Sequence, residues 1–106
     1  MTETDITTQQ LIRDRYQSLR AVLDAAYTQA AHGKGAERHA RGNHFEEQHM
    51  QTISKLLDTD RGMAFQAIKK LTEGLDMADP GARERELLGA INYIAGIVVY
   101  WRQNKS

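Results

Sequence analysis

A single proline, Pro80, interrupts 106 residues, and the apolar side chains recur at steps of three and four. That pairing leaves little room for anything but α-helix, because a 3.6-residue period places such positions on one face. Ile12, Tyr16, Leu19, Leu23, Ala26 and Ala30 form the first stripe. The spacing predicts a helix from about Gln9, with Thr7 or Thr8 as N-cap, His32 in its last turn and Gly33 closing it. Asn43 followed by Glu46 has the form of a capping box, so a second helix is predicted to start there and stop near Asp58. Phe45, Met50, Ile53, Leu56 and Leu57 supply its apolar face. Thr59 and Asp60 read as the cap of a third helix carrying Ala64, Ile68, Leu71 and Leu75 on one face, with Phe65 beside it. Asp79-Pro80 reads as N-cap and first residue of a fourth, over about residues 80–103.

The fourth helix changes character midway. ARERE is solvated, whereas from Leu87 to Trp101 apolar residues wrap most of the circumference. A helix apolar all round is buried all round, so it is expected to be central or covered by a partner chain. Gly89 and Gly96 each cost about 1 kcal/mol against alanine in a helix, and close packing is the expected compensation. The expected architecture is one all-α domain spanning residues 1–106. It is a small bundle of about four helices, with residues 1–7 a frayed leader and 33–43 a polar loop, self-associating through the C-terminal helix.

Charge narrows the function classes. Lys+Arg and Asp+Glu balance at 14 each, so no global field steers the chain to nucleic acid or membrane, and no helix carries a row of cations to track phosphates. The longest apolar run is far short of the ~20 residues that span a bilayer. No cysteine is present, which removes disulfides and thiolate chemistry and fits a reducing cytoplasm. The leader MTETDITTQQ lacks the basic and apolar regions of a signal peptide. A cytoplasmic location is expected.

Local asymmetry remains. All four histidines, His32, His39, His44 and His49, fall in one stretch with Lys34, Arg38 and Arg41, punctuated by Gly33, Gly35 and Gly42. Flexible cations beside glycines and ahead of a helix N-terminus suit a phosphate or other anion. Lys34, Arg38, His39, Arg41 and His44 are therefore the candidate ligand-binding residues, and no catalytic residue is assigned. The spacing is not that of a P-loop. The alternative is a solvated connector.

HFEEQH offers a metal alternative. Glu46 and His49 are three apart, as in the Glu-x-x-His element of di-iron bundles, which need two such elements and two further glutamates. His44 and His49 are five apart and diverge on a helix, unlike the zinc pattern. Glu46 or Glu47 facing Glu86 across a bundle could hold Mg2+ through carboxylates and waters. Glu46, Glu47, His49 and Glu86 are the candidate metal ligands, with no cofactor expected otherwise. Glu84 and Glu86 also read as solvated acids beside Arg83 and Arg85.

Over residues 44–100 these acidic helices distantly resemble the all-α nucleoside-triphosphate pyrophosphatases, the MazG-like enzymes. That resemblance implies a Mg2+-dependent nucleotide pyrophosphohydrolase using Glu46, Glu47 and Glu86. The strings ERHARGNHFEEQ and ELLGAINYIAG resemble small uncharacterised proteins of phages and prophages. That class includes counter-defence proteins, among them oligomeric sponges for nucleotide messengers. Three readings result: a homo-oligomeric module binding an anionic small molecule such as a nucleotide, the Mg2+ enzyme, and an inhibitor of a macromolecular partner. Tyr93, Tyr100 and Trp101 could stack on a base, but on an apolar helix they read first as core or interface.

Overall fold

The computed structural model describes residues 15–33 and 44–104. Among these are four α-helices and no strand: α1 (Gln17–His32), α2 (His49–Leu57), α3 (Arg61–Asp76) and α4 (Pro80–Asn104), with a single 3-10 turn, Phe45–Glu47, before α2. The all-α architecture is as the apolar spacing requires. No described helix is long and apolar enough to cross a membrane.

Helix boundaries follow local chemistry. The expected start of α1 near Gln9, with its Thr7 or Thr8 cap, lies outside the described residues. At its other end the Gly33 N–H donates to the Gln29 carbonyl at 3.0 Å. A Cβ on Gly33 would stand 2.5 Å from that carbonyl oxygen, so only glycine closes the helix this tightly. The backbone there is extended rather than left-handed.

The second helix begins later than the Asn43–Glu46 pattern predicts. Residues 45–47 make a 3-10 turn, Gln48 is extended (ψ 166°), and α2 starts at His49. A residue at that ψ cannot continue a helix, so Glu46 and His49 do not share a helical face. The break has a structural counterpart, since it leaves Phe45 half-buried against the fold. α2 ends in a Schellman arrangement, with the Thr59 N–H on the Ser54 carbonyl at 3.0 Å and Asp58 left-handed at φ 55°. Aspartate tolerates that conformation better than most residues. The Thr59 hydroxyl then accepts the Arg61 N–H at 3.2 Å. At α4 the Asp79 carboxylate accepts the Ala82 N–H at 2.8 Å, with Pro80 in the first turn, as the sequence predicts.

α4 is the central element, with α1, α2 and α3 each packed on it. α3 and α4 form an antiparallel hairpin whose pairs run oppositely: Gly74 against Glu86, Lys70 against Gly89, Met63 against Gly96. The apolar stripe Ile68, Leu71 and Leu75 does not face α4 but is exposed, Ile68 by 62%. The stripe that faces α4 is Met63, Ala67, Lys70 and Gly74, one residue behind it. Two glycines on α4 and one on α3 explain the choice. They let the helices approach through small residues and side-chain stems, which bulky Ile and Leu would hold apart. α4 is likewise not enclosed, since Ile94, Val98 and Trp101 are exposed.

Candidate functional site

An open groove of about 1160 Å³ lies between α1, α2 and the α3–α4 hairpin. Two amide contacts set its width. The Asn92 side chain donates to the Ala26 carbonyl at 3.0 Å, and the Gln29 side chain donates to the Arg85 carbonyl at 3.0 Å. These tie α1 to α4 where their packing is otherwise alanine-thin, and both residues line the groove.

Behind the opposite wall, outside the lining itself, stands Gln51. It has no solvent exposure, its amide donates to the Gly96 carbonyl at 2.8 Å, and it approaches the Met63 sulfur at 3.9 Å. This polar residue anchors α2 to the hairpin, with Met50 and Met63 closing around Gly96, where a Cβ would meet their sulfurs at 3.1 and 2.9 Å. The glycine compensation expected from sequence is present, supplied by flexible side chains rather than by backbone.

Lys70, Arg85, Glu86 and His49 all line the groove. The Lys70 stem lies across Gly89, where a Cβ would come within 2.9 Å of its Cδ, and its ammonium is 3.6 Å from the Glu86 carboxylate, both side chains largely covered. Lys70 thereby neutralises the one carboxylate of the lining, which also holds Arg85 and His49. Phe45 and Tyr93 add aromatic surface, and Gln48 and Gln66 further amides. Basic groups, amides and aromatic faces thus line one cleft.

The candidate ligand-binding residues Lys34, Arg38, His39 and Arg41 lie outside the described residues. What is described is where their segment joins the fold. It leaves at Gly33 and returns at His44, and both Gly33 and the adjacent Phe45 line the groove. His44 itself is exposed, its carbonyl accepting the Glu47 N–H.

Of the candidate metal ligands, His49 and Glu86 share the groove. Glu46 and Glu47 are exposed on the 3-10 turn and do not line it. Among the described residues no three His, Asp or Glu side chains gather as a metal site. Tyr93 is half-buried in the groove, Trp101 is exposed, and Tyr100 is buried. Burial, followed by the nearby carboxylates Asp58 and Asp60, raises the Tyr100 phenol above its ordinary 10.0.

Sequence reasoning missed Gln29, Gln66 and Lys70 as lining of one site, and Gln51 as the buried residue behind it. Glutamine in a helix carries no spacing signal. Lys70 reads as an isolated cation until Gly89 and Glu86 are brought opposite it. No family model matches this chain, and no curated protein or solved structure matches it either.

Proposed function

We propose that this chain is a self-associating cytoplasmic binding protein whose groove takes an anionic small molecule, a nucleotide or nucleotide messenger. The observation that carries the reading is the meeting of two features at one place. The basic segment 34–43 joins the fold at Gly33 and His44, on the rim of a groove lined by Arg85, His49 and the Lys70–Glu86 pair together with Phe45, Tyr93 and four amides. Arg38, Arg41 and Lys34 hold phosphate oxygens from the segment, while Arg85 does so from the lining, since guanidinium groups bind phosphate in a bidentate fork. Tyr93 and Phe45 receive the base, and Gln29, Gln66 and Asn92 supply donors and acceptors to its edge. A counter-defence sponge fits this reading, because sequestering a messenger needs affinity and no turnover.

The test is native mass spectrometry of protein taken from cells, followed by calorimetric titration with linear and cyclic nucleotides, with and without EDTA. A retained mass of nucleotide size and EDTA-resistant binding are expected. Arg85→Ala is expected to weaken binding at least tenfold, and the Arg38→Ala, Arg41→Ala pair to abolish it. Turnover of a nucleoside triphosphate only with Mg2+ would replace this reading by the pyrophosphohydrolase. Indifference to every nucleotide and to inorganic phosphate would end it.

A further inference from the structure

The α3–α4 hairpin has two sides, and the groove uses one. The α4 positions that reach α1, through the Arg85 carbonyl and the Asn92 side chain, lie in one rotational sense from the α3-facing positions Glu86, Gly89 and Gly96. The stripe Leu87, Ile91, Ile94, Val98 and Trp101 lies in the other sense, about 140° away at 100° per residue. On α3 the stripe Ala64, Ile68, Leu71 and Leu75 is about 100° from the buried one, Met63, Ala67, Lys70 and Gly74. Antiparallel helices wind in opposite senses when viewed from one end. Both stripes therefore swing to the same side of the hairpin, away from α1 and the groove. Leu87 closes the seam between them, its Cδ2 standing 3.4 Å from where a Cβ on Gly74 would lie.

This continuous two-helix face is exposed: Ile68, Leu71 and Leu75 on α3, Ile94, Val98 and Trp101 on α4. Neither stripe contains a charged residue. We infer that it is the face on which a second copy of this chain docks, pairing two hairpins about a two-fold axis into a four-helix bundle. The inference rests on the self-associating part of the reading above and gives it a location.

Three observations favour a second copy as the occupant. Both stripes alternate steps of three and four, the spacing by which helices interdigitate along a bundle seam. An antiparallel pair presenting two such seams is complementary to itself under a two-fold rotation, which sets α3 of one copy on α4 of the other. The area also suffices. Six exposed and three partly buried apolar side chains, along roughly 17 Å of α3 and roughly 21 Å of α4, approach the ~800 Å² that each partner contributes to a standard interface. Finally, the buried apolar residues of the described fold are Ala26, Met63, Ala67, Leu88, Ala90 and Tyr100, half of them alanine. A core of such small residues among the described ones gains much from covering a further apolar face, and a second copy brings the matching face. In the resulting dimer the two grooves point outward on opposite sides, so ligand and partner occupy separate surfaces.

The experiment is light scattering on the size-excluded full chain across roughly 1 to 100 µM, with thermal melts over the same range, since a folded dimer melts higher at higher concentration. The wild type is expected to be dimeric. Ile94→Ala is expected to raise the dissociation constant at least tenfold with helical circular dichroism retained, and Ile68→Asp or Ile94→Asp to give monomer or unfolded chain. Phe65→Asp on the far side of α3 and Leu19→Asp on α1 are expected to stay dimeric, and nucleotide affinity is expected to be unchanged in Ile94→Ala. A dimer broken by Leu19→Asp and indifferent to Ile94→Ala would overturn this location while leaving self-association standing. A wild type monomeric throughout the range would overturn both.

Discussion

The Gln51 side-chain amide donates to the Gly96 carbonyl at 2.8 Å from a position with no solvent exposure, while its own Oε1 is buried without a hydrogen-bond partner. Half of the amide is thus satisfied and half is not. An orphaned buried acceptor costs about 1–3 kcal/mol, which nearly cancels what the donated bond contributes. Gln51 therefore holds α2 to the hairpin chiefly by volume. Gln51→Met, of similar shape and without the orphan, is expected to change stability by less than about 1 kcal/mol. Gln51→Ala, which leaves a cavity, is expected to cost about 2–4 kcal/mol. Urea denaturation of both variants checks this, and equal losses in the two would mean that the polar contact, not the packing, secures the helix.

Three glycines in helices face different surroundings and are expected to respond differently to alanine. Nothing lies within 4 Å of a Cβ on Gly62, so Gly62→Ala is expected to stabilise by up to about 1 kcal/mol. At Gly89 the new methyl meets only the Lys70 stem, which can swing into the open groove. The gain in helix propensity is then offset by a weakened Lys70–Glu86 pair, worth about 0–1 kcal/mol at this partial exposure, for a result near zero. At Gly96 the methyl meets the Met63 and Met50 sulfurs against buried Gln51, and overpacking is expected to cost about 1–3 kcal/mol. Thermal melts at one protein concentration should rank the three as Gly62→Ala, Gly89→Ala, Gly96→Ala from most to least stable.

Tyr100 makes stability depend on alkaline pH. Its phenol is raised above 10.0 in the folded chain, by burial first and then by Asp58 and Asp60, so the folded state prefers the neutral form more than the unfolded state does. The associated stability is fully present below the unfolded value of 10.0 and is lost as pH rises through the higher folded value. Ultraviolet titration of tyrosine ionisation should show one phenol titrating later than in Tyr100→Phe. The Phe variant should also lose less stability between neutral pH and pH ~11 than the wild type. Matching pH profiles in the two proteins would remove Tyr100 as the cause.

The helical class was legible because periodicity is a property of each helix alone, and the Asp79-Pro80 restart because a cap is local. What stayed hidden depends on which of two adjacent stripes faces inward. On α3 the larger stripe, Ile68, Leu71 and Leu75, suggests the core by hydrophobicity. The smaller one, Met63, Ala67 and Gly74, wins against α4 because Gly89 and Gly96 sit opposite it. No single helix contains that information. The groove was hidden for the same reason: Gln29, Lys70 and Arg85 are unremarkable surface residues until three helices bring them together. The end of the groove at His49 was obscured by a capping pattern at Asn43–Glu46 that the chain overrides with a 3-10 turn and an extended Gln48.

The two aspartates that precede helices provide a last contrast, because sequence treats them alike and structure does not. The Asp79 carboxylate accepts the Ala82 N–H at 2.8 Å at the start of α4. Asp60 holds the corresponding place before α3, yet its side chain makes no capping bond, and the Arg61 N–H is taken instead by the Thr59 hydroxyl. Removing a capping side chain costs about 0.5–2 kcal/mol. Asp79→Ala is therefore expected to destabilise by about 1 kcal/mol. Asp60→Ala loses only the attraction of a carboxylate for the positive end of the α3 dipole, a few tenths of a kcal/mol that salt screens away. Denaturation in low and high salt separates the two. The Asp79→Ala loss should persist in high salt, and the Asp60→Ala loss should vanish. Equal, salt-sensitive losses at both positions would show that charge alone, rather than the hydrogen bond, starts these helices.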